Sequence, residues 1–267
     1  MLSFLRNRRR ARLRATPVPD AWARIVDRNV PLARRLSAED RAELLGHVQV
    51  LVAEKHFEGC GGLILTDEHR VTIAAQAAFL LLHRDTDYFP RLRSILVYPS
   101  SYVVEGEQEL EGGIFTEGAE EYEGHTQEHL GALLLNWRDI RADARAPDDG
   151  VNLILHEFAH QLDFEDGDAD GRPALDHGGA YERWTRVLEA ELARLRSDVR
   201  RGRRTVLDPY GAEDPVEFFA VSTEAFFETP DLLRDEHPAL YEELSRFYRQ
   251  DPARWPGERA RGDVLPF

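Results

Sequence analysis

Residues 156–160 read His-Glu-Phe-Ala-His. On a helix, side chains at i and i+4 share one face, so His156 and His160 can present both imidazoles to one cation. Zinc accepts two neutral imidazoles and leaves room for a carboxylate and a water. Glu157 is turned roughly 100° around the helix from His156. It can reach a metal-activated water without ligating the metal, which is where a general base belongs. The flanking run Val151-Asn152-Leu153-Ile154-Leu155 is mostly apolar, so the helix is expected to be buried. Buried polar groups need partners, and a metal would satisfy this set at once. The bland alternative is two core histidines with hydrogen-bonded partners.

The third ligand has several candidates. A short linker would place it six residues after His160, at Asp166, with a glycine needed at 163 for the turn; that position is Asp163, which speaks against this route. A longer linker takes a glutamate from a second helix, and Glu182, Glu217 and Glu224 all qualify. Glu217 and Glu224 lie at i and i+7 and share a face, while Phe218, Phe219, Phe226 and Phe227 are expected to pack the core. Spacing alone leaves the choice open.

These residues need elements to position them. Helices are expected at about 20–29, from a cap at Ser37, from Thr66 through Leu81, and over 152–162, with Asp148 or Asp149 near its start. Further helices are expected over 181–196, from Pro215 as a first helical residue to Glu228, and over 238–249. Ser94–Tyr98, Tyr102–Val104 and Ala132–Trp137 read as strands. The fold class is α+β, with strands mid-chain and helices on both sides. One domain is expected over 20–255, with a helical part at 20–90 and a catalytic core at 91–255. Residues 1–19 are expected to be a disordered basic tail, and 256–267 a flexible tail.

Composition narrows the function classes. The net charge of −15 gives no general reason to bind nucleic acid or anionic lipid, so neither is an expected partner. Residues 1–14 nonetheless hold six arginines and no acid. They are followed by Pro17, Pro19 and Asp20 rather than an apolar stretch, which does not fit a secretory signal. No window approaches 18 uninterrupted apolar residues, so no membrane span is expected. The single cysteine, Cys60, excludes an internal disulfide and a Cys-rich zinc cluster, and suits the cytoplasm. Residues 105–128 carry nine glutamates and no Lys or Arg, the pattern of a solvated loop.

The stretch HEFAHQLD at 156–163, followed after about fifty residues by YGAEDPVEFFAVSTEAFFE at 210–228, resembles the Mlc titration factor A family of bacterial zinc metallopeptidases. KHFEGCGGLILTDEHRVTIAAQAAFLLL (55–82) and LVYPSSYVV (96–104) resemble further blocks of that family, so the likeness spans roughly 20–252. The spacing of Tyr210 and Glu217 is also similar to that in the catalytic domain of anthrax lethal factor. The resemblance implies a zincin-like, gluzincin-type domain with one zinc held by His156, His160 and Glu217, and Glu157 as catalytic base. It places Tyr210 near the metal as an oxyanion donor, and Asp163 and Glu224 behind the ligands, orienting imidazoles. It departs from the family at the basic tail and at 124–137, where His125 and His129 are expected to be surface histidines.

The implied substrate is a peptide or protein, docked by added β pairing along 132–137. The family name implies a second role, sequestration of an Mlc-like transcriptional repressor. A purely structural metal site would instead need a fourth protein ligand, for which Asp163, Asp166 and His177 are the candidates.

Overall fold

A computed structural model of the chain describes residues 2–100, 131–175 and 178–257. Helix α1 (Leu2–Ala15) is followed by α2 (Asp20–Asn29) and α3 (Ala38–Glu54). Strand β1 (His56–Gly59), helix α4 (Asp67–Phe79) and strand β2 (Ser94–Tyr98) form a crossover unit, and β3 (Ala132–Asn136) joins the same sheet. The order is β1-β2-β3, both pairs parallel, with His56 opposite Ser94 and Ser94 opposite Ala132. Then come α5 (Trp137–Asp143), α6 (Leu153–Asp163), α7 (Gly178–Arg200), α8 (Pro215–Glu228), α9 (Pro230–Glu236) and α10 (Pro238–Tyr248). The class is α+β, mostly helical around a small parallel sheet.

Local chemistry sets the boundaries. The Ser37 side chain accepts from Asp40 N at 3.0 Å, and Thr66 and His69 form a reciprocal capping box at the start of α4. Trp137 opens α5 instead of ending a strand, because Asn136 turns its side-chain oxygen onto Arg138 N at 2.9 Å. β1 escapes pattern reading: four residues, His-Phe-Glu-Gly, at a sheet edge, none of them fully buried. The readings at 101–130, namely strand 102–104, the acidic stretch, His125 and His129, lie outside the described residues, as do His177 and residues 258–267.

The expectation of a disordered segment at 1–19 is corrected: most of it is α1, packed on α3. Arg10 is 6% exposed and forks onto Glu54, with Nε 3.0 Å and Nη2 2.8 Å from Oε2. Its Nη1 donates to Asp87 Oδ1 at 2.5 Å. The guanidinium also sits 4.7 Å from the Tyr88 ring centroid. A buried, doubly paired arginine supplies the anchor that a solvated charge run lacks.

The core around the C-terminal helices is aromatic. Phe218, Phe219, Phe226 and Phe227 of α8 are all fully buried, as expected. Phe226 stacks on Tyr248 at 5.6 Å, and Phe219 meets Trp184 edge-on at 5.7 Å. This packing fixes the rotation of α8, and α6 lies directly against that helix.

The loop leaving α6 is pinned at Gly171. Its N–H donates to Asp163 Oδ2 at 2.8 Å and its carbonyl accepts from Trp184 Nε1 at 3.0 Å. With φ at +75° and the Pro215 carbonyl oxygen 2.3 Å from where a Cβ would stand, only glycine fits. Gly171→Ala is expected to cost about 3 kcal/mol, combining left-handed strain with a backbone clash. Urea unfolding checks this; an unchanged midpoint would contradict the close approach.

Candidate active site

Two helices build the site. Asn152 caps α6, its side-chain oxygen accepting from Leu155 N at 3.1 Å. Phe158 and Ala159, the two residues between Glu157 and His160, are core residues, with Phe158 edge-on to Phe89 at 4.8 Å. That burial turns His156 and His160 to the other side, towards α8, with ring centroids 4.7 Å apart. Asp214 caps α8 by accepting from Val216 N at 2.8 Å and Glu217 N at 2.9 Å. Glu217 therefore sits in the first turn, where the helix dipole favours a carboxylate.

The ligand-type atoms of His156, His160 and Glu217 lie within 4.8 Å of one another. Nε2 of His156 is 3.1 Å from Nε2 of His160 and 3.1 Å from Glu217 Oε2; His160 Nε2 is 3.6 Å from Glu217 Oε1. Zinc bonds of 2.0–2.1 Å in a tetrahedron separate ligand atoms by about 3.3 Å, so the spacing fits that ion. The orphan atoms point the same way. Glu217 Oε2 is buried and near His156, yet no donor is aimed at it, and Glu157 Oε1 is also buried without a hydrogen bond. Asp40, Glu43 and His83 also converge. There, however, the two imidazole nitrogens of His83 face Asp40 at 3.1 Å and Glu43 at 3.3 Å, so each already has a carboxylate partner.

Electrostatics favour a cation. Burial works against a charged His156, but Glu217 and Glu224 outweigh it and raise its pKa to about 10. Burial likewise acts to raise Glu217, yet His156 and His160 bring it down to about 2. Burial pushes the Glu157 carboxyl upward, strengthening it as a proton acceptor. Tyr210 lies on a 3₁₀ turn at Pro209–Ala212, capped by Asp208, with its ring centroid 6.2 Å from that of His156. Burial and the charge of Glu217 raise its phenol to about 12, which keeps it a proton donor.

Behind the three converging side chains, Glu224 Oε1 is 2.8 Å from His156 Nδ1, while its Oε2 accepts from Asn152 N at 2.5 Å. One turn on, Glu228 Oε1 accepts from Asn152 Nδ2 at 2.9 Å and its Oε2 from Asp148 N at 3.1 Å. Glu217, Glu224 and Glu228 thus form one stripe of α8 directed at the start of α6. Asp148 is in turn paired with buried Arg35. Asp163 is fully buried at the end of α6, but its hydrogen bond goes to Gly171 and not to His160. Glu182 on α7 and Asp166 lie outside the three-residue cluster. Asn152 and Glu228 were not singled out by sequence reading; the i+4 spacing of Glu228 from Glu224 was the available signal.

A buried His-Glu-x-x-His helix facing a glutamate of a second helix is metallopeptidase architecture, and sequence comparison leads to the same class. Residues 5–249 match the family described as "Glucose-regulated metallo-peptidase M90". The chain is 39% identical over 236 residues to an uncharacterized protein of Synechocystis sp., covering 88% of this chain and 86% of that one. It is 32% identical over 226 residues to Mlc titration factor A of Serratia proteamaculans, covering 84% and 85%. The corresponding protein of Salmonella arizonae is 31% identical over 230 residues, covering 84% and 89%. The chain belongs to this metallopeptidase family, that of Mlc titration factor A. The match begins at residue 5, so all six arginines of the N-terminal segment fall within it.

Proposed function

We propose that the chain is a zinc-dependent peptidase, with His156, His160 and Glu217 holding one zinc ion. The observation that carries this reading is the convergence of those three side chains at tetrahedral spacing beside Glu157, whose buried Oε1 has no hydrogen-bond partner. When bound, zinc supplies Lewis acidity towards a peptide carbonyl and acidifies a water. Glu157 takes the proton from the attacking water and delivers it to the leaving amine. Tyr210, protonated, donates to the oxygen on which negative charge develops. Glu224 holds the His156 ring by its Nδ1, and Asp163, buried beside the helix end, contributes negative charge near His160.

The test is metal removal. Purified chain is expected to carry near one zinc, to lose hydrolysis of short peptides on chelation, and to regain it when zinc is restored. Absence of zinc, or turnover unaffected by its removal, would overturn the reading. Tyr210→Phe is expected to lower kcat by about 10²-fold with zinc content and KM near wild type. A drop in zinc content instead would give Tyr210 a structural role.

The names of the Serratia and Salmonella relatives favour a second reading, binding of an Mlc-like repressor with proteolysis secondary. The readings separate in Glu157→Gln, which would retain partner binding while losing turnover. We assign the chain to the cytoplasm on its single free cysteine, Cys60; among the described residues no helix is long and apolar enough to cross a membrane.

A further inference from the structure

The net charge of −15 conceals where the charge sits, since α1 carries six arginines and no acid. The two sides of this helix differ. Its inner side is engaged: Arg10 binds Glu54 and Asp87, Arg6 reaches Asp87 at 2.9 Å, and Leu13 packs on the core. Its outer side carries Phe4, Leu5, Arg8, Ala11, Arg12 and Ala15, all exposed and confined to an arc of roughly 120°. Phe4 is 67% and Leu5 55% exposed, side by side in the first turns. Arg8 and Arg12 form no ion pair with any described residue.

We propose that the outer face of α1 docks on an anionic lipid bilayer. Phe4 and Leu5 enter the boundary between headgroups and acyl chains, and Arg8 and Arg12 lie on the lipid phosphates. Arg8 and Arg12 each supply about 1 kcal/mol of attraction to an anionic surface, and Phe4 and Leu5 add exposed apolar area beside them. The acidity of the rest of the chain does not cancel this attraction, because charges more than about 8 Å away are largely screened at physiological salt. The Arg10 pairs fix α1 to the body, so the face is presented without an ordering cost at contact. A nucleic acid would reward the arginines equally, but would gain nothing from Phe4 and Leu5; these two residues decide for lipid.

Vesicle flotation with the full chain tests this, comparing phosphatidylcholine alone with vesicles containing about a third phosphatidylglycerol. Wild type is expected to float only with the anionic vesicles. Arg8→Glu combined with Arg12→Glu is expected to weaken binding roughly tenfold or more. Phe4→Ser combined with Leu5→Ser should weaken it comparably while keeping every arginine. Both variants leave Arg10 and its partners intact, and unchanged thermal unfolding confirms that the fold is retained. Failure of wild type to bind anionic vesicles overturns the proposal. So does binding that survives loss of Phe4 and Leu5, or a DNA duplex bound as tightly as the vesicles, either of which makes the face a generic cation patch.

Discussion

Glu157→Gln is expected to leave zinc at the wild-type level of one per chain and to reduce peptide turnover by about 10³-fold or more. General acid–base catalysis typically contributes 10²–10⁴-fold, and in the proposed mechanism one carboxylate serves both the attack and the departure of the amine. The substitution is isosteric and Glu157 is not among the three converging ligand atoms, so metal binding should survive. The residue is 4% exposed, burial raises its pKa, and its Oε1 has no hydrogen-bond partner. A buried charge of this kind costs stability, and a neutral amide removes that cost. Glu157→Gln should therefore unfold no earlier than wild type. Loss of turnover with zinc and stability retained is a combination that a merely structural role cannot produce. Turnover that persists would remove Glu157 from the mechanism; loss of zinc would make it part of the metal scaffold.

The parts of the fold legible in sequence are those whose signal is local. The α6 motif announces itself by i, i+4 spacing within an apolar run, and α8 by Pro215 at its start and paired phenylalanines along it. What sequence missed is held by distant partners. Arg10 is anchored by residues 44 and 77 positions away, so a segment that looks solvated becomes a packed helix. β1 is a strand only because β2 pairs with it, Phe57 opposite Ile95. Tyr210 sits on a short turn with no periodicity, and family resemblance rather than spacing singled it out. The same limit applied to the third ligand. Glu217 and Glu224 share a face and a composition, and in three dimensions they divide the work: Glu217 faces Nε2 of His156, and Glu224 its Nδ1.

That division leads to the second large effect. Glu217→Ala is expected to weaken zinc binding by roughly 10³-fold, whereas Glu224→Ala weakens it by about 10–100-fold and Glu182→Ala leaves it unchanged. Removing Glu217 would delete the proposed third ligand and its negative charge, and leave the two imidazole Nε2 atoms 3.1 Å apart with no carboxylate between them. Removing Glu224 would leave all three proposed ligand atoms but free the His156 ring to rotate and leave Asn152 N without its acceptor. The cost is then orientation, with a part in the capping of α6. Glu182, on α7, is outside the cluster and serves as the control. Competition titration against a chelator of known affinity gives the three constants directly. If zinc binds the folded chain and not the unfolded one, as proposed, thermal unfolding in excess zinc should fall in the same order. Equal losses for Glu217→Ala and Glu224→Ala would mean that both ligate the ion. Loss in Glu182→Ala alone would mean that the ligand lies on α7.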